Sequence, residues 1–301
     1  MKKKKGMTRR AFIKKSSITA IGAAGSTLFL TSPQAAWSET GQTPVALIRN
    51  REVLDESGNA KYEVILEMLD TAVTALLEES DPVKAWKKIV KPHDRVGIKS
   101  NEWSYLPTPA RLEEAINRRL LDAGVGEKNI KIQDRGIYKD DFFLKATALI
   151  NTRPMRTHHW SGVGSLIKNY ITFVQKPYEY HGDSCADLAT LWKLPAVKGK
   201  TRLNVLVMLT PLFHGVGPHH FNPRYLWKYY GILVGFDPVA VDAVGVRILQ
   251  NKRKAFFAEE RPLLPPPKHI FLADTRHHLG TAAMDQIKLI KIGDTGDILI
   301  D

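Results

Sequence analysis

Apolar and polar positions along the chain change spacing repeatedly, from runs that suit strands to stripes that suit helices. The run in "TPVALIRN" predicts a first strand over Val45 to Ile48. In "YEVILEMLDTAVTALLEE" the residues Val64, Leu66, Met68, Leu69, Val73, Leu76 and Leu77 recur at helical spacing. "DRVGIKSN" reads as a short strand that ends in polar residues. "PARLEEAINRRLLDAG" reads as a helix, with Thr108 as the N-cap ahead of Pro109 and Gly124 at its end. "NIKIQDRG" gives another strand, "ATALINTRPM" a strand near Leu149 and Ile150, and "RLNVLVMLT" a buried one. "YGILVGFDPVAVDAVGVRILQN" reads as a strand, a turn at Asp237-Pro238 and a helix, and "QIKLIKIGD" as a last strand. Strands alternating with helices predict an α/β fold, a mixed or mostly parallel sheet flanked by helices. We expect one domain over residues 39–301, with an inserted region around 151–230. The proline-rich "RPLLPPPKH" is expected to be an extended surface connector.

Residues 1–38 follow a different logic. A basic opening leads into a weakly apolar stretch, Ile18 to Leu30, and then into small residues, which is the layout of an export signal. Arg9 and Arg10 in "TRRAFIKK", with Phe12 and Lys14 at the matching positions, look like a twin-arginine signal. Ala36-Trp37-Ser38 offers a small-x-small cleavage site before Glu39. The expected location is therefore periplasmic, with the twin-arginine translocation machinery as a partner. The chain is formally +13, but eight of its 44 basic residues and none of its 31 acidic ones lie in the signal. The remaining 36 basic against 31 acidic residues are too even a balance to argue for nucleic acid. Cys185 is the only cysteine, so the chain forms no internal disulfide and cannot ligate an iron–sulfur cluster through cysteines of its own. After the signal no segment is apolar enough over enough residues to predict a membrane span.

In open α/β sheets, binding sites gather at the carboxyl ends of strands. Four polar clusters fall there: "KSNEW", "QDRG", "NTRPMRTHHW" and "HGVGPHH". Lys99, Arg156 and Lys168, the last just after the glycine-rich "SGVGS", are candidates to hold a carboxylate or phosphate. His158, His181 and His214, with Asp242 or Cys185 as a fourth group, form a candidate set for Zn, Ni or Fe. No spacing among them matches an established metal motif, and the plainer alternative is histidines that cap turns or stack. His158, His214 and Lys168 are the catalytic candidates, because each can carry or shift a proton near neutral pH. His219 and His220, past the turn, are expected to matter less. Asp237 ahead of Pro238 suits a helix N-cap, whereas Asp242 inside an apolar helix needs a partner.

The segments together resemble the family called domain of unknown function 362. "IKSN" (Lys99 to Asn101), "RTH" (Arg156 to His158), Lys168-Asn169 in "GSLIKNY", "HGDSCADLATL", "LFHGVGP", "DPVAVDAVG" and "HHLGTAAMDQIKLIKIGD" look like its successive blocks. Ser100 stands where proline is usual and Arg156 where lysine is usual. Asn101 and Asn169, which stand in these blocks with Lys99 and Arg156, are taken with them as candidate substrate-binding residues. The resemblance implies no activity. Some members are associated with ferredoxin-type iron–sulfur domains; this chain lacks those cysteines, so that role is not carried over.

Two readings stand at this point. One is an exported, metal-assisted enzyme acting on a small anionic substrate. The other is a non-catalytic periplasmic ligand-binding or redox-accessory protein. Both require export. Replacing Arg9 and Arg10 with lysine should leave the precursor in the cytoplasm, as read by fractionation and signal processing. Normal export of the double variant would show that the pair is not a twin-arginine signal.

Overall fold

The structure, a computed structural model, describes residues 41–215 and 221–300. Residues 1–38, expected to be an export signal, and His219 and His220 lie outside the described residues. Eight strands form one sheet: β1 (Thr43–Arg49), β2 (Val96–Lys99), β3 (Ile130–Gln133), β4 (Ala148–His158), β5 (Gly162–Gly164), β6 (Thr201–Leu212), β7 (Gly231–Gly235) and β8 (Ile287–Gly293). The order is β3-β2-β4-β6-β7-β1-β8, with β5 folded back on β4. β7 runs antiparallel to both of its neighbours, and the other strands of that row share one direction. The sheet is thus mixed and mostly parallel, as the alternation of strands and helices implied.

Both faces are covered, so strand residues split by parity. Ala46 and Ile48 of β1 join Ile98, Ile150 and Val205 under α1 (Tyr62–Leu77), α2 (Pro82–Ile89) and α3 (Ala110–Asp122). Val45 and Leu47 point the other way, into a core shared with the one-turn helices α4 (Asp141–Leu144) and α5 (Leu166–Asn169), with α6 (Pro238–Phe257) and with α7 (Lys268–Thr275). Burial on two faces is why these strands read as near-continuous apolar runs. Among the described residues no helix is long and apolar enough to cross a membrane.

Three sequence expectations change. Thr108 does not cap α3. Pro109 occupies that position with no side-chain cap, and the Thr108 hydroxyl instead accepts the Asn101 N–H at 3.1 Å, fastening the loop that leaves β2. The 151–230 stretch contains two central strands of the sheet, β4 and β6. Only the short elements between them are added, and they pack into the α6 core. The proline-rich connector stops at Pro267, and His269 is already helical and fully buried. Asp237 meets its expectation: it caps α6 by accepting from Val239 N at 2.7 Å and Ala240 N at 3.1 Å, with Pro238 in the first turn.

A chain of polar side chains crosses the sheet beneath the α6 core. Lys99 on β2 donates to Asp134 beyond β3 at 2.6 Å and to Asn169 Oδ1 at 3.1 Å. Asn169 donates to Asn151 Oδ1 on β4 at 2.8 Å, and Asn151 donates to Asn204 Oδ1 on β6 at 3.1 Å. Asn204 donates to the Phe236 carbonyl at the end of β7, at 3.1 Å. All four donors are essentially inaccessible to water, so each link must be made inside the protein. The chain ties five neighbouring strands together, from Asp134 just past β3 to Phe236 just past β7. Replacing Asn204 with alanine strips Asn151 and the Phe236 carbonyl of a partner and should destabilise the protein by about 2 kcal/mol or more. A urea midpoint indistinguishable from that of the wild type would show that the chain bears no such load.

Candidate functional site

β4 carries most of the chemistry. Its first half is apolar, whereas its second half, "NTRPMRTH", is polar yet buried throughout. Arg153 and Arg156 are each 4% exposed, His158 7%, and Lys168 on α5 3%. The glycines of β5 make room for them. A side chain at Gly164 would come within 2.8 Å of Arg153 Nη2. Gly162, at φ +72°, lies so close to the Pro265 carbonyl that no side chain fits there.

α5 is held by Asp242. One Asp242 oxygen accepts Leu166 N at 2.9 Å, and the other accepts Ser165 Oγ at 2.7 Å and Ile167 N at 2.9 Å. The partner that a carboxylate inside an apolar helix requires is thus the start of another helix. Burial pushes Asp242 up to about 6, against these donors and the nearby charge of Arg153. By capping α5, Asp242 sets Asn169 against Asn151 and the Thr152 carbonyl of β4, and Lys168 against the Cys185 sulfur.

Lys99 is spent within the protein. Its ammonium donates to the Ser100 carbonyl, Asp134 and Asn169. Burial lowers its pKa to about 8, against the attraction of Asp134. Arg156 donates to Asn101 Oδ1 at 2.8 Å and lies over the Trp103 ring at 4.4 Å, while its Nε has no hydrogen-bond partner. Among the described residues Lys168 reaches the Cys185 sulfur, at 3.5 Å, and burial lowers its pKa to about 8 with the adjacent thiol opposing. Cys185 sits at the end of a left-handed turn in which Asp183, Ser184 and Cys185 all have positive φ. Burial raises its thiol pKa.

Arg153 is at the centre. Its charge acts on Lys99, Asp134, Arg156, His158, Lys168, Asp242 and His269. Yet among the described residues it makes no salt bridge, and its Nε has no hydrogen-bond partner. Burial brings its pKa down to about 10, so it stays charged at neutral pH. Four buried cations, Lys99, Arg153, Arg156 and Lys168, thus face two buried carboxylates, Asp134 and Asp242, leaving two positive charges in excess. Charges out of water without partners are costly, and an anion is what would offset them.

The histidines do not converge as a metal site would require. His158 accepts the Trp160 N–H at Nδ1, 3.2 Å away, which places its proton on Nε2 when the ring is neutral. Burial and the surrounding cations hold it far below its ordinary pKa. The rings of His158, His159, Trp160 and His181 touch in succession, with centroids 4.8, 4.0 and 3.9 Å apart, and the path bends at His159, since His158 and Trp160 lie 6.0 Å apart. His214 is elsewhere in contact terms: Arg253 Nη1 lies 3.0 Å from its Nδ1, and its ring meets Tyr225 and Phe257 edge-on. Among the described residues no three His, Cys, Asp or Glu side chains are placed to hold a metal ion. Lys168, Arg156 and His158 share the cationic centre, whereas Lys99 and Asn169 belong to the chain across the sheet and Asn101 holds Arg156. Sequence reasoning did not single out Arg153, Asp134 or His269. The only signal for Arg153 was its place three residues before Arg156 in a strand whose polar half broke the apolar run.

A cleft of about 1340 Å³ lies on the opposite face, lined by residues that include Tyr62, Tyr105, Arg111, Pro154 and Leu209. It contains none of the buried cations, and we place the site at Arg153 on chemistry and not on size.

The model of a family described as Domain of unknown function (DUF362) matches residues 111–247. Neither the curated proteins nor the solved structures gave a match. The matched span contains Arg153, Arg156, His158, Lys168 and Asp242, and excludes Lys99 and His269.

The low pKa of Lys168 has a measurable consequence. Its charge is present below about pH 8 and is lost as the pH rises through that value. Sulfate, which does not titrate in this range, should bind with constant affinity up to roughly pH 7.5 and weaken roughly tenfold by about pH 9.5. Lys99 titrates in the same range, so Lys168→Arg decides between them. Its guanidinium keeps the charge, and the fall should move to higher pH. A profile unchanged in that variant would exclude Lys168 as the titrating group.

Proposed function

We propose that this chain, whose residues 111–247 match the DUF362 family model, binds a small, doubly charged oxyanion beside Arg153 of β4, outside the cytoplasm after twin-arginine export. The observation that carries the reading is Arg153: a buried guanidinium with no carboxylate in contact, an unpartnered Nε, and a glycine opposite it where any side chain would intrude. Two arginine forks and a lysine suit the oxygens of a phosphoryl group or of paired carboxylates. The layout of residues 1–38 supports the export part.

Two groups equip the site for chemistry on such a ligand. Lys168, with a pKa near 8, can give up a proton close to neutral pH. His158 offers an Nε2–H donor in its neutral form. The non-catalytic alternative uses the same cations for retention alone. A transition metal held by His158, His181, His214 and Asp242 would need those side chains to be drawn together, and metal analysis of natively exported protein tests it. Turnover of a phosphate ester by wild type and its loss in Lys168→Met would favour the enzyme over the binding protein.

The binding claim is testable through stability. Sulfate or phosphate at a hundred times its dissociation constant should stabilise the wild type by about 2.7 kcal/mol, seen as a raised melting temperature. Arg153→Met should abolish that rise while leaving the ligand-free protein within about 1 kcal/mol of wild type or above it, because the lost charge was unpaired. If Arg153→Met instead lowers ligand-free stability by several kcal/mol, the guanidinium is structural and the reading fails.

A further inference from the structure

His269 lies outside the matched family span and no step above uses it, yet it is fully buried and neither ring nitrogen has a hydrogen-bond partner. Its place in the fold is well fixed. The connector ahead of α7 runs along the β4–β5 hairpin, where a side chain at Gly162 would lie 3.0 Å from Pro267 N. The neighbouring Lys268 donates to Asp183 at 2.6 Å, tying the start of α7 to the left-handed turn that presents Cys185 to Lys168. Two residues on from Gly162, Gly164 abuts Arg153. The β5 strand therefore has the start of α7 at one end and the Arg153 guanidinium at the other. Burial, with the charges of Lys168 and Arg153, takes the pKa of His269 down to about 3, so the ring is neutral across the physiological range.

A neutral imidazole has one N–H donor and one acceptor nitrogen. Beside these buried cations the ring can give its N–H to an oxyanion, but its other nitrogen then still lacks a donor. It matches a group that both donates and accepts, which a hydroxyl does and a methylene does not. We infer that the oxyanion held by Arg153 is the head of a hydroxylated organic phosphate, and that His269 hydrogen-bonds the ligand's hydroxyl and so determines specificity. This rests on the anion reading of the same site and adds the part of the ligand beyond its charge. A site built to hydrogen-bond a hydroxyl discriminates strongly against the analogue that lacks it, because its buried polar atoms are then left unpaired.

The test is calorimetric titration of the whole mature protein with three probes: inorganic phosphate, 2-hydroxyethyl phosphate, and propyl phosphate, which replaces the hydroxyl by a methyl group. Wild type should bind 2-hydroxyethyl phosphate at least about tenfold more tightly than propyl phosphate. His269→Phe should erase that preference and leave the affinity for inorganic phosphate within about twofold. His269→Gln, which keeps a donor and an acceptor, should retain part of it. Equal affinity of wild type for the two esters overturns the inference, as does a preference that survives in His269→Phe. Should His269→Phe fail to fold, the wild-type comparison and His269→Gln still decide. If inorganic phosphate does not bind wild type at all, it is the anion reading itself that falls, and the role of His269 with it.

Discussion

The charge of Arg153 is the constraint on which the rest of this molecule turns. A guanidinium cannot shed its proton at physiological pH, so a buried one must be offset by something. Here the nearest carboxylates are already committed: Asp134 to Lys99, and Asp242 to the start of α5. The two arginines of β4 and Lys168 are left with an amide, a tryptophan face and a thiol. None of these neutralises charge. Such an arrangement has a cost to the empty protein, and it makes sense if the compensating charge arrives with a ligand.

The scaffold is organised to hold that excess charge still. The asparagine chain from Lys99 to the Phe236 carbonyl ties neighbouring strands together. Asp242, projecting from α6, fixes α5, and α5 delivers Asn169 to the chain and Lys168 to the pocket. One helix thus contributes a cap at each of two places: Asp237 for α6 itself and Asp242 for α5. In the β4–β5 hairpin Gly164 leaves room for the Arg153 guanidinium and Gly162 for the Pro265 carbonyl.

Much of the fold was legible because its strands are buried on both faces and its helices are striped. The strand–turn–helix at Asp237-Pro238 was readable to the residue, since N-cap chemistry is local. β4 was legible only around Leu149 and Ile150. Its second half is a strand because β6 and β5 flank it, and no periodicity in "NTRPMRTH" announces that. The site was half legible. Arg156 and Lys168 stood out as cations near strand ends, but the role of Lys99 was hidden because its partner Asp134 is thirty-five residues away in sequence. His214 drew attention through its motif, and its contacts are with Arg253 and aromatic rings. His269 was invisible because it follows a run of prolines that reads as an exposed connector.

The most direct measurement is a crystal structure of the mature protein grown with selenate, a doubly charged oxyanion whose selenium scatters anomalously. The account predicts a selenium peak beside Arg153 of β4, with its oxygens in hydrogen-bond contact with Arg153 and Lys168. A structure in which selenate sits elsewhere, and in which Arg153 instead contacts a carboxylate of the protein, would contradict it.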